Sequence, residues 1–236
     1  MAGPSPFREV FQEVFARLIE YSLQDRFSEG LEEALAFFYN LDEGEEYEFD
    51  AEQEFLFLTW FLIDDIDQEG TALADNFIEE NRDEMNPQEI MLVDALKATH
   101  LSILQVVETV PGESLTLRDL FLRETFSVRE TSISEEIPKG TLLFTRVLPM
   151  GEERFLVGAG VFLSAEALEP LTDFLAKEFQ KESEIHPMSF RDFLKHNGEL
   201  INWWIRAYQK GETLEIDRSD DDDDDDDGGP PDAKAR

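Results

Sequence analysis

The chain has 236 residues, 42% of them hydrophobic and 20 of them Phe, enough apolar material for a sizeable core, yet its formal net charge is -35. Such a field works against direct binding to nucleic acid and to anionic membrane surfaces, both of which rest on Lys and Arg, and it attracts basic proteins or cations. The absence of cysteine excludes disulfides, thiolate nucleophiles and Cys-ligated zinc.

The N-terminus shows no basic-then-apolar signal pattern, and no apolar run approaches the ~20 residues that span a bilayer, so a cytoplasmic protein without a membrane partner is expected. From Phe7 to about Tyr21, apolar residues at Phe7, Val10, Phe11, Val14, Phe15, Leu18 and Ile19 follow the spacing of an amphipathic helix. A second helix is predicted from Ser28 to about Asn40, and the acidic stretch LDEGEEYEFD then reads as a loop broken at Gly44. Residues 51–63 form a third helix, apolar nearly all round and so expected at the centre of the fold. A fourth helix begins near Thr71. A fifth has Asn86 as its N-cap and Pro87 in its first turn.

The pattern changes near His100. LSILQVVETV, SLTLRDL, RETFSVRETS, GTLLFTRVLPM and RFLVGAGVFLS alternate or run apolar between turn residues, which reads as five antiparallel strands in a small barrel or bent sheet. Helix returns after Ser164, with Pro170 expected to kink or break it, and another helix is predicted from Ser189 to Gln209. The expected class is therefore α+β. The expected plan is an acidic helical domain at 1–99, a β domain at 100–163, C-terminal helices at 164–218 and a disordered acidic tail at 219–236, where eight consecutive aspartates stand.

Candidate chemistry begins where FLFLTWFLIDDID turns from apolar to acidic. Asp64 and Asp67, spaced i, i+3, would share a helix face and with Asp65 could hold a divalent cation. Bases able to seat a phosphate beside them are scarce, since residues 1–100 carry 26 acids against 5 bases and no Gly-rich phosphate loop. The competing reading is the polar end of a buried helix. His196 and Glu199 would stand i, i+3 on one helix as half a metal site that nothing completes, and His100 and His186 read as structural or exposed. Arg118, Arg123, Arg129, Arg146 and Arg154 fall in the least acidic segment and make the β unit the best place for an anionic ligand. Trp203 and Trp204 could form an aromatic partner-binding stripe, with at least one ring in the core. No nucleophile elbow and no cofactor motif is present, so no cofactor is expected.

The succession FLTWFLIDD, G-T-x-L-x-x-x-F, NPQEIMLVDAL and the run from LSILQVVETV to GTLLFTRVLPM resembles uncharacterised bacterial proteins that carry a short SEC-C zinc-knuckle segment, over roughly residues 50–165. The resemblance implies helices, then a small β unit, then helices, and no particular reaction. The SEC-C zinc ligands are Cys-rich, and this chain has none to supply. The leading expectation is a non-enzymatic interaction or adaptor module for a basic protein partner. The alternatives are a metal-dependent hydrolase or transferase using Asp64, Asp65 and Asp67, and an acidic nucleic-acid mimic.

Overall fold

A computed structural model of the chain describes residues 6–42, 44–45, 47, 51–67, 70–214 and 216. The expected acidic tail, and half of the acidic loop after the second helix, lie outside the described residues. The N-terminal part contains α1 (Pro6–Ser22), α2 (Ser28–Tyr39), α3 (Ala51–Ile63), α4 (Leu73–Asn81) and α5 (Pro87–Lys97). Asn86 caps α5 as its position suggests, its side chain accepting from the N–H groups of Gln88 and Glu89 while Glu89 reaches back to the Asn86 N–H. The uniformly apolar α3 is central: Leu56, Phe57, Thr59, Trp60, Phe61, Leu62 and Ile63 are all buried.

Five strands follow: β1 (Leu101–Val110), β2 (Ser114–Asp119), β3 (Thr125–Arg129), β4 (Leu142–Met150) and β5 (Glu153–Leu163). They form one sheet in the order β3-β2-β1-β4-β5, every neighbouring pair antiparallel. The fold is thus α+β around a curled half-barrel. The two edge strands come together, with Arg129 of β3 paired to Glu153 of β5 at 2.8 Å and Arg154 of β5 lying over the Phe126 ring. Closing an open sheet in this way shields the edge backbone groups that would otherwise recruit another chain.

Strand alternation divides the core. Leu104, Val106, Leu115, Leu117, Val128 and Leu143 fill the inside of the curl. The opposite face meets helices in two clusters. One joins Leu101, Ile103, Leu142 and Phe144 to α2, α3 and the C-terminal helices. The other joins Leu148, Met150 and Val157 to α1, α3, α4 and α5.

The C-terminal helices depart from expectation in two places. A 3-10 turn over Ala165–Ala167 follows Ser164, and α6 (Leu168–Ile185) starts only after it, so Pro170 falls in the first turn and neither kinks nor breaks the helix. Its missing N–H would have had no intrahelical partner there. The predicted Ser189–Gln209 helix is two helices, α7 (Phe190–His196) and α8 (Glu199–Lys210). Asn197, with φ -134° and ψ 34°, leaves the helical region at the break. A Cβ on Gly198 would stand 3.2 Å from the Leu194 carbonyl oxygen and 3.3 Å from the Leu101 Cβ, so the break sets the chain tight against β1. Gly198→Ala is expected to cost about 1–3 kcal/mol as an overpacking change. A urea midpoint equal to that of the parent would show that the contact relaxes freely.

Candidate functional site

The three aspartates end α3, and because the helix stops at Ile63 they do not share a helix face. Asp64 turns inward and is buried. One of its oxygens is held by the Arg146 guanidinium and the other by the Lys195 ammonium. Arg146 is 0% exposed, also donates to the Thr99 hydroxyl at 2.9 Å, and has no hydrogen-bond partner among the described residues for its Nε. Lys195 donates in addition to the Ile63 carbonyl at 3.0 Å. Burial pushes the Lys195 ammonium below its usual range, Asp64 pulls it back up, and Arg146 adds to the depression. This centre joins the end of α3 to β4 and α7 where the two helix-facing clusters meet.

Asp65 and Asp67 have different surroundings. Burial, with the Asp64 charge beside it, raises the half-buried Asp65 carboxyl to about 6. Asp67 organises the following turn: its Oδ1 accepts from the Thr71 N–H at 2.9 Å, and its own N–H donates to the Thr71 carbonyl at 3.1 Å. With both Asp64 oxygens engaged and Asp67 committed to a turn, the three carboxylates do not converge. Among the described residues no three His, Asp or Glu side chains gather as metal ligands.

The proposed His196/Glu199 half-site is corrected by the break between α7 and α8. His196 ends α7 exposed, whereas Glu199 opens α8 buried, accepting from the Trp60 Nε1 at 3.2 Å. Burial raises the Glu199 carboxyl to about 8, with Asp64 and Asp65 adding to the shift against the opposing hydrogen bonds. His186 lies 3.2 Å from Glu182 at the exposed end of α6. His100 stands 3.8 Å from Asp119, a turn-forming residue whose Oδ1 accepts from the N–H groups of Phe121 and Leu122. Burial would raise the Asp119 carboxyl, but His100 and those N–H groups outweigh it and hold it below the usual range. Trp204 is buried and stacks on Tyr208, while half-buried Trp203 donates to the Phe37 carbonyl at 2.8 Å, so the two rings do not form one stripe.

The arginines also separate. Arg146 belongs to the buried centre, Arg129 pairs with Glu153, and Arg154 covers Phe126. Arg118 and Arg123 remain together and exposed, lining a cleft of ≈ 350 Å³ that Lys139 also lines. Sequence reasoning that weighed only arginines missed Lys139, although it sits in the same base-rich segment, in the turn before β4.

Two further hollows border the helices. One of ≈ 430 Å³ lies between α1 and the sheet, its walls carrying Phe7, Phe11, Phe15, Phe55 and Phe155. The other, of ≈ 520 Å³, opens among α2, α3 and α4 and is lined by Glu33, Asp65 and Asp67 around Phe37, Phe61 and Ile66. Phe37 and Ile66 are 49% and 50% exposed and stand together on this rim. Arg26, on the same rim, is committed to Glu80 through two hydrogen bonds of 2.8 and 2.6 Å.

Together these features describe an α+β protein whose buried charges tie helices to a curled sheet and whose surface offers clefts of opposite charge. The chain belongs to a family of unknown function (DUF7986), whose model matches residues 5–196. That span encloses Asp64, Arg146, Lys195 and every residue lining the two charged clefts. No curated protein and no solved structure matches the chain. Among the described residues no helix is long and apolar enough to cross a membrane.

Proposed function

We propose that this chain is a non-enzymatic interaction module that takes a basic protein segment in the cleft among α2, α3 and α4. The observation that carries the reading is the combination there of three carboxylates, Glu33, Asp65 and Asp67, with the exposed apolar surfaces of Phe37 and Ile66. A lysine or arginine side chain is apolar along its stem and charged at its tip, so it matches a cleft with an apolar floor and an acidic rim. The half-exposed Phe37 ring, stacked on Trp60, adds aromatic surface for a cation. The wider negative field speeds the encounter with a basic partner, and the cleft supplies selectivity among them. The buried acids argue against a catalytic use: Asp64 is saturated by two cations and Glu199 is enclosed by protein.

The test is fluorescence anisotropy of a labelled Lys/Arg-rich peptide with the full chain near physiological salt. The double variant Glu33→Gln with Asp65→Asn is expected to weaken binding by about tenfold, as loss of two partly desolvated charge contacts predicts. Affinity should also fall as pH drops through about 6, where Asp65 gains its proton, while carboxylates in the ordinary range stay charged. Unchanged affinity in the double variant would assign peptide binding to the general acidity of the chain and end this reading.

A further inference from the structure

The cleft lined by Arg118, Arg123 and Lys139 has an unusual composition for this molecule. The chain has 55 acids against 20 bases, yet three of its bases line one cleft whose walls contain no Asp or Glu. Among the described residues none of the three is in an ion pair; Arg17, Arg26, Lys97 and Arg191 have acidic partners, while Arg8, Arg82 and Lys177 stand singly without one, so what sets this cleft apart is that three unpaired cations share it. Glu124, next to Arg123 in sequence, is taken by Arg191 at 2.8 Å. The three exposed cations therefore share one cleft with no acidic partner among the described residues.

The backbone points the same way. Arg118 stands opposite Gln105 of β1 and Thr125 of β3 in the sheet register, so polar side chains flank it across the strands. Lys139 rides on a turn fixed to β1 by two hydrogen bonds, from Gly140 N–H to the Val106 carbonyl at 2.7 Å and from Val106 N–H to the Thr141 carbonyl at 2.9 Å. Arg123 occupies the β2–β3 turn with φ 58°, a left-handed conformation that Gly or Asn adopts with less strain. An arginine held there presents its guanidinium at the price of a strained backbone.

We propose that this cleft binds a compact phosphate monoester. Two guanidinium forks and an ammonium match the geometry and charge of a phosphate group. The volume of ≈ 350 Å³ exceeds what a bare phosphate ion needs and falls in the range of about 300–1,000 Å³ typical of small-molecule sites, which leaves room for an organic body. Compactness follows from the rest of the surface. A long polyanion extends beyond the cleft into the field of a chain of net charge -35, whereas a small ligand sits within about 8 Å of the three cations, inside one screening length.

Isothermal titration of the full chain with phenyl phosphate, inorganic phosphate, citrate and a short single-stranded oligonucleotide tests the assignment. Phenyl phosphate is expected to bind with unit stoichiometry and more tightly than the other three. Arg123→Gly removes the guanidinium while relieving the strained turn, so it should hold or raise the thermal midpoint and weaken phenyl phosphate binding by about tenfold or more. Lys139→Gln should weaken it similarly, and Lys177→Gln on α6 should leave it unchanged. Absence of saturable binding overturns the proposal, as does an affinity indifferent to Arg123→Gly. Tighter binding of citrate or of the oligonucleotide, lost in Arg123→Gly, would overturn the ligand class. None of these outcomes bears on the basic-peptide cleft, which lies on other elements.

Discussion

Arg146→Met is expected to destabilise the protein by about 3–5 kcal/mol, a large share of the total stability of an ordinary domain. The substitution keeps most of the side-chain volume, so the loss is electrostatic. It leaves Asp64, whose side chain is 2% exposed, with only Lys195 to balance it in a region walled by the α3 and β4 cores. The double variant Asp64→Leu with Arg146→Met is expected to recover most of that loss, because it removes both charges and also the unpartnered Arg146 Nε. Lys195, with 23% of its side chain exposed, can then turn its ammonium toward water. Urea unfolding of the single and double variants decides the matter. A single variant losing less than about 1 kcal/mol, within the range of surface ion pairs, would show that the Asp64–Arg146 pair contributes little. A double variant no better than the single would show that the site depends on charge rather than tolerating an apolar replacement.

Part of this centre was legible in the sequence. Arg146 has the same strand parity as Leu142, Phe144, Leu148 and Met150, all of which face the helices and are buried. An arginine in that row must be buried and must have an acidic partner. The identity of that partner was not legible. Asp64 lies far away in the chain at the end of a helix, Lys195 comes from a third element, and only tertiary packing brings them together. For the same reason the three aspartates look alike in sequence and differ in the fold, one buried, one half-buried and one shaping a turn.

The strands and most helices were readable because their apolar spacing is strong and their caps are local, as Asn86 with Glu89 and Ser189 with Asp192 illustrate. The break between α7 and α8 was not, since the apolar spacing continues through it. The break seats Gly198 against Leu101, the first residue of β1, a contact that spans the whole sheet and two helices in sequence and that only tertiary packing reveals. That single misreading also generated the His196/Glu199 pair, because the i, i+3 relation holds only on a continuous helix.

Glu199 gives the second large effect, and its sign is opposite to that of most carboxylates. Its ordinary value of 4.5 is raised to about 8 in the fold by burial. Between those limits the folded chain binds the proton and the unfolded chain does not, so stability falls as pH rises. The contribution is fully present below 4.5 and is lost as pH passes through about 8, a total of about 5 kcal/mol. Asp65, raised to about 6, acts in the same direction over a lower window. Glu199→Gln preserves an oxygen for the Trp60 Nε1–H and removes the titration. It is therefore expected to match the parent near pH 4 and to exceed it by about 3 kcal/mol at pH 7, with a flatter profile of unfolding free energy between pH 5 and pH 8. Parallel profiles for the two proteins would mean that Glu199 ionises in the folded chain as readily as in water. A match at low pH with divergence above 5 would show that α8 docks on α3 through a neutral carboxylic acid, kept uncharged by its burial and by the negative charges of Asp64 and Asp65 nearby.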